Sequence, residues 1–244
     1  RDTANPFCLF LSWGPPHHPY RLAPKKYLDM YDPDAIQGRP NCPDVPREDL
    51  WGYYAQTTFL DDQFQRLLNV LDELEITNNT IVVFSSDHGD MHGSHGQFRK
   101  TSPWEESIRV PFIVGGIQPR YVGRSGRSSS LINHVDVAPT TLGLVGIDPP
   151  DWMDGYDYSN ERTGADGPLA PDSAYLQAVT PTGHGDSIDR PWRGVVTDDG
   201  WKYVTLEGQP WMLFNLEEDP YELANHAFNS KFRTERRRLQ ERLG

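Results

Sequence analysis

IVVFSSDHGDMHGSHGQFRK, residues 81–100, decides how this chain is read. An apolar run ends in Asp87-His88-Gly89. Two more histidines follow, His92 and His95, each beside a glycine, and Arg99-Lys100 closes the stretch. The run reads as a buried β-strand over residues 80–86. In α/β sheets ligands gather at the carboxyl ends of strands, and Asp87 and His88 stand at such an end. A carboxylate oxygen and a ring nitrogen can both ligate a metal, and Lys100 offers positive charge to an anion held there. The same residues also fit a polar loop, with Asp87 capping a turn and Lys100 in water. His88, His92 and His95 have the spacing of one helix face, which points to zinc. Gly89, Gly93 and Gly96 interrupt every turn, however, so a loop is expected and the three rings need not converge.

Upstream, FCLFLSW at residues 7–13 reads as a second buried strand, bounded by Pro6 and Gly14-Pro15-Pro16, with Cys8 as a buried free thiol. SWGPPHHPY then places His17 and His18 on a proline-stiffened loop. If the two strands are parallel neighbours, this loop and the 87–100 loop share one rim; for His18, ordinary packing or exposure is expected. A proline-rich loop holding Cys42 leads to an amphipathic helix over about residues 47–75, where Leu50, Tyr54, Phe64, Leu67, Leu68, Leu71 and Leu74 recur at helical spacing. Asn78-Asn79 ends it.

Downstream, IRVPFIV at 108–114 is a third strand, 120–130 a basic surface loop, and 136–146 a helix with Asp136 as N-cap and Pro139 in its first turn. From 150 to 172 the composition turns to Asp, Gly, Pro and Ser. Four strands follow: AYLQAV, WRGVVTD, WKYVTLE and WMLFNL. Asp198-Asp199-Gly200 joins the middle pair, and a charged helix begins at about 230. The fold class is therefore α/β: a mixed sheet flanked by helices, then a small C-terminal antiparallel sheet with one helix. The domains read as residues 1–165 and 166–244.

The formal net charge of −12 argues against a nucleic-acid surface, although a local basic pocket can sit in an acidic body. No apolar run approaches the ~20 residues of a membrane-spanning helix. Cys8 and Cys42 are the only cysteines; they neither require nor exclude an oxidising compartment.

Taken together, these stretches resemble the sulfatases of the alkaline phosphatase superfamily. LFLSWGPPHHPY is similar to the family's strand followed by Pro-His-x-Pro. VVFSSDHGDMHGSHGQFRKTSPWEESIRVPFIVGG is similar to its second metal motif and the segment after it. DVAPTTLGLVGI, WRGVVTDDGWKYV and MLFNLEEDPYELAN match in the same order, so the likeness covers nearly the whole chain. It implies an alkaline-phosphatase-like sheet and sulfate-ester hydrolysis. By position, Asp87 and His88 match two metal ligands, Lys100 the lysine that binds the sulfate group, and His17 the histidine that contacts the sulfate and assists the leaving oxygen. The implied cation is Ca²⁺, with Mn²⁺ also suited to a nitrogen ligand. His92, His95 and Arg99 either line the substrate cleft or are ordinary loop residues. Glu105, Glu106 and Arg109 are assigned first to scaffold salt bridges.

The family's nucleophile, a formylglycine made from Cys or Ser in Cys/Ser-x-Pro-x-Arg, has no match here: Cys42 is followed directly by Pro43, and Arg47 lies five residues on. Asp61-Asp62 falls within the long helix and is not the family's early metal-binding pair. The chain thus reads as the later half of a sulfatase, inactive by itself, with formylglycine expected in an N-terminal half. A sheet lacking strands is expected to self-associate through an exposed edge. Two alternatives stand: a phosphonate or phosphate monoester hydrolase of the same superfamily, and a degenerate relative that keeps the fold without catalysis. The expected partner is a sulfated small molecule or carbohydrate, with no nucleic acid and no membrane span. Family analogy favours a periplasmic or secreted location. His184, in TGHGD, belongs to loops that read either as a sugar or aryl pocket or as plain surface.

Overall fold

The computed structural model has Pro46 and Pro111 immediately before elements and Gly146 at a helix C-cap. It describes residues 5–116, 125–164, 169–179, 183, 188 and 190–244. Two compact units form: Arg1–Gln37 with Pro46–Val70, and Gly38–Val45 with Leu71–Gly244. The expected boundary at 165/166 and His184 lie outside the described residues, as do residues 120–124 of the basic loop.

In the first unit, the short helix α1 (Lys25–Leu28) packs on α2 (Arg47–Glu73). Ala23, Tyr27 and Ala55 are buried, with Leu28, Tyr31 and Phe59 against them. Gln56 is buried among the loop carbonyls, donating through Nε2 to the Pro19 and Tyr20 oxygens at 2.8 and 2.5 Å. Glu48 and Asp49 lie in the first turn of α2 as expected. The helix ends at Glu73, and a 3₁₀ turn, Thr77–Asn79, makes the reversal.

The strand expected at 7–13 does not form. These residues are neither helix nor strand and are exposed, including Leu9 at 65% and Phe10 at 90%, and Cys8 is exposed rather than buried. An apolar run becomes a strand only when a neighbouring backbone satisfies its N–H and C=O groups. Among the described residues no strand pairs with it.

In the second unit, β1 (Val82–Ser85) and β2 (Phe112–Gly115) pair antiparallel, with Val82 opposite Gly115 and Ser85 opposite Phe112. The helix α4 spans His134–Val145. Its N-cap is Asn133, not Asp136. Asp136 is the N3 partner of a capping box, accepting the Asn133 N–H at 2.7 Å. Because the helix starts two residues earlier than expected, Pro139 falls inside it, beyond the first turn.

The four C-terminal strands form one antiparallel sheet in sequence order: β3 (Ser173–Ala178), β4 (Trp192–Thr197), β5 (Trp201–Leu206) and β6 (Gln209–Asn215). The β4–β5 turn is the expected Asp198-Asp199-Gly200, with Gly200 at φ 81°, where a side chain would be strained. Side chains alternate between two cores. Val195, Tyr203 and Leu213 pack with Leu239 of α6 (Arg233–Leu243) on one face. Trp192, Val204, Met212 and Phe214 face Trp104 and Ile108 on the other. This second core ties the sheet to the segment that follows Lys100.

Candidate functional site

The chain leaves β1 at Ser85 and enters a loop folded largely on its own backbone. The Gly89 N–H donates to the Ser107 oxygen, Met91 to Arg99, Gly93 to Gln97 and Ser94 to Met91, each at 2.8 Å. Asp90 Oδ1 accepts the N–H groups of His92 and Arg99, both at 3.2 Å. No α-helix forms between Asp87 and Lys100, only a 3₁₀ turn at Ser94–Gly96, so the three histidines do not share a helix face. Four non-glycine residues here have left-handed backbones: His92, His95, Arg99 and Thr101, at φ 43, 53, 68 and 73°. Each costs on the order of 1 kcal/mol or more, and such strain persists only where surrounding contacts over-determine it. Gly89 is required by close approach: a Cβ there would lie 2.0 Å from the Glu106 carbonyl oxygen.

Asp87 is exposed and His88 partly buried. The His88 ring nitrogen Nδ1 is 2.7 Å from the Gly89 oxygen. This contact places the ring proton at Nδ1 and leaves Nε2 as the basic nitrogen. Nε2 lies 3.6 Å from Asp87 Oδ2, a separation at which one cation can touch both. A carbonyl that fixes the tautomer of a ligating imidazole is the usual support for a metal-binding histidine. The donor set therefore fits a divalent cation. Slight burial pushes the Asp87 carboxyl upward, but His88, the local backbone N–H groups and the charge of Lys100 together hold it below the usual carboxylate range. Lys100 thus acts electrostatically on the same carboxylate. At the N-terminal end of α4, His134 Nε2 lies 2.9 Å from the Ser86 oxygen, at the exit of β1.

His92 and His95 have protein partners. The His92 ring lies near Asp90, with Nε2 3.9 Å from Oδ1. His95 stacks on Trp104, with centroids 3.8 Å apart and planes 13° apart. Its Nε2 accepts the Asn41 amide at 3.0 Å, and burial pushes the imidazole below its ordinary value. His17 belongs to the first unit. It is exposed, with Nδ1 2.8 Å from the His18 oxygen, so Nε2 is its basic nitrogen too. The His18 ring sits edge-on to Tyr20.

Behind the loop lies a buried charge network. Lys202 of β5 is fully buried and donates to the Pro103 oxygen at 2.8 Å and to Glu105 Oε1 at 2.9 Å, and it forms an ion pair with Glu222. Burial pushes the Glu222 carboxyl up to about 7, against the pull of Lys202. Glu106 also meets a burial penalty, but the Asn41 amide, its own backbone and Arg39 hold its carboxyl below the ordinary value. Glu105, Glu106 and Arg109 thus serve as scaffold ion pairs, as expected from sequence. His95, Glu106 and Glu222 bring one ligand atom each within 4.8 Å of one another. The Lys202 ammonium on Glu222 and the Asn41 amide on His95 already answer two of these, so the group is a compensated ion network. Sequence reading did not find Asp90, Asn41, Trp192, Lys202 or Glu222. One signal was available: a lysine between two aromatics in WKYVTLE lies on the same strand face as Val204, where burial demands partners.

A strand-end carboxylate and imidazole, with the charge of Lys100 acting on that carboxylate, form the candidate site. Comparison with known proteins sharpens this. The sulfatase family model matches residues 1–147, and the model for the C-terminal part of N-sulphoglucosamine sulphohydrolase matches residues 93–244. The chain belongs to the sulfatase family. It is 37% identical over 248 residues to an ulvan-active sulfatase of Formosa agariphila, covering 98% of this chain and 47% of that protein. A solved Bacteroides thetaiotaomicron 4S-sulf structure, from glycosaminoglycan metabolism, matches with a TM-score of 0.82 at 25% identity, over all of this chain and 54% of that one. The phosphonate monoester hydrolase of Agrobacterium radiobacter shares the fold, with a TM-score of 0.77 at 22% identity over 93% of this chain and 54% of that one. The chain spans about half the length of the curated relatives it matches.

Proposed function

We propose that this chain carries the anion-binding lysine and part of the cation site of a sulfuric ester hydrolase. Such an enzyme cleaves R–O–SO₃⁻ with water to ROH and sulfate. The observation that supports it is the β1 exit: Nε2 of His88 and Oδ2 of Asp87 stand 3.6 Å apart, with the charge of Lys100 acting on the same carboxylate. Lys100 would hold sulfate oxygens and offset charge as the S–O bond breaks. His17, with its Nδ1 hydrogen directed to the His18 oxygen, keeps Nε2 to carry a proton to the departing oxygen. Asp87 and His88 would hold a divalent cation, Ca²⁺ or Mn²⁺, which when bound supplies Lewis-acid stabilisation of the anion. The substrate class is a sulfated small molecule or carbohydrate, in keeping with relatives that act on ulvan or in glycosaminoglycan metabolism.

Cys/Ser-x-Pro-x-Arg does not occur in these 244 residues. We therefore assign the formylglycine nucleophile to sequence outside them and expect the isolated chain not to turn over. The test uses the protein at its native length on aryl sulfates, sulfated carbohydrates, and phosphate and phosphonate monoesters. Sulfate esters should be preferred, and Lys100→Ala should lower kcat/KM by about 10²-fold or more. Wild-type turnover by Lys100→Ala would refute the assignment, and preference for phosphonates would favour the hydrolase alternative. Hydrolysis by residues 1–244 alone with added Ca²⁺ would overturn the expectation of inactivity.

A further inference from the structure

Lys100 sits between two left-handed residues, Arg99 at φ 68° and Thr101 at φ 73°. Such a backbone is costly on both sides of the residue that matters, so the contacts that impose it also aim the Lys100 side chain. On the Arg99 side the clamp is internal to the loop: Asp90 Oδ1 takes the Arg99 N–H, and the Arg99 oxygen takes the Met91 N–H. On the Thr101 side it comes from the C-terminal sheet, 91 residues away in sequence. The indole Nε1–H of Trp192 donates to the Thr101 oxygen at 2.8 Å. Two residues further on, the buried ammonium of Lys202 donates to the Pro103 oxygen at 2.8 Å. Trp104 and Ile108 then lie on the core face formed by Trp192, Val204, Met212 and Phe214. The rings of Trp104 and Phe214 are 5.6 Å apart.

We propose that Trp192, backed by Lys202, is a positioning residue for Lys100: the C-terminal sheet sets the backbone that presents the anion-binding lysine. The inference rests on the reading of Lys100 given above. The sheet is then part of the active-site frame. A hydrogen bond to a main-chain oxygen next to a strained residue is a direct means of control, because releasing Thr101 lets the neighbouring peptide relax toward common backbone angles.

Trp192→Phe in the native-length protein tests this, since it keeps an aromatic in the core and removes the N–H donor. Four quantities are read: kcat and KM on an aryl sulfate, the inhibition constant of inorganic sulfate, and the melting temperature. The expected result is a fall in kcat/KM of about tenfold, with a parallel weakening of sulfate inhibition. In a Lys100→Arg background, which retains charge but loses the ammonium geometry, Trp192→Phe should change neither quantity further, as two residues acting through one interaction require. Lys202→Arg, which preserves the buried charge, should move both quantities in the same direction and serves if Trp192→Phe does not fold. A drop in melting temperature with unchanged kinetics and sulfate affinity would assign Trp192 to structure alone and overturn the proposal, as would an additive loss in the Lys100→Arg background. If Lys100→Ala itself leaves turnover and sulfate affinity unchanged, the functional reading falls first and this inference falls with it.

Discussion

Replacing Lys202 by Met tests the account of the buried network most directly. The Lys202 side chain is fully buried, and its ammonium meets Glu222, Glu105 Oε1 and the Pro103 oxygen. Met fills similar space but leaves the Glu222 side chain, 1% exposed, without its counter-ion. Breaking a buried pair from one side costs about 3–5 kcal/mol. The pH dependence is more diagnostic than the size. An ordinary glutamate titrates near 4.5, whereas burial raises Glu222 to about 7. The folded state therefore holds a proton that the unfolded state has lost, and wild-type stability declines as pH rises through that window and then levels off. The decline is on the order of 3 kcal/mol. Lys202 is the strongest downward influence on this carboxyl, while Glu105 pushes it up, and His95 and Glu106 also face it. Without Lys202 the carboxyl titrates higher still, so stability keeps falling above pH 7 by about 1.4 kcal/mol per pH unit. Denaturant unfolding at pH 5.5, 7.0 and 8.5, followed by tryptophan fluorescence and circular dichroism, should show a gap between variant and wild type that widens upward. Adding Glu222→Gln should abolish the widening. A gap that stays constant across this range would refute the reasoning.

Four further outcomes are expected. Gly89→Ala, which drives a Cβ into the Glu106 carbonyl oxygen, should destabilise the protein by about 1–3 kcal/mol in chemical denaturation and lower turnover, because the 106–107 segment must move away from the 87–100 loop. Leu239→Ala empties a fully buried site between α6 and the sheet and should cost about 2–5 kcal/mol by the same measurement. His88→Ala should weaken Ca²⁺ or Mn²⁺ binding, measured calorimetrically on the native-length protein, by about tenfold or more. The 244-residue chain, with Leu9 and Phe10 exposed on a segment that is neither helix nor strand, should associate in sedimentation experiments, and Leu9→Ser with Phe10→Ser should shift it toward monomer.

Local patterns were legible where one segment carries its own reason to form. The leucine spacing of α2, the Asp198-Asp199-Gly200 turn and the four C-terminal strands all appear where their residues place them. The glycines of the 87–100 loop ruled out a helix correctly. FCLFLSW misled because an apolar run states a preference for burial but not the presence of a sheet partner. Asp136 misled by three positions because Asn133, an equally good cap, lies one helical turn earlier.

By itself the sequence determined the family, the order of the C-terminal strands and the choice of Asp87, His88 and Lys100 as candidate residues, because these rest on residues close together in the chain. Only the tertiary structure decided what holds the backbone beyond Lys100: the contacts of Trp192 and Lys202 with the Thr101 and Pro103 oxygens. The physical reason is separation along the chain. A donor and a carbonyl some 90 residues apart carry no mutual signal in sequence, and their pairing exists only once the sheet has packed its core face against Trp104.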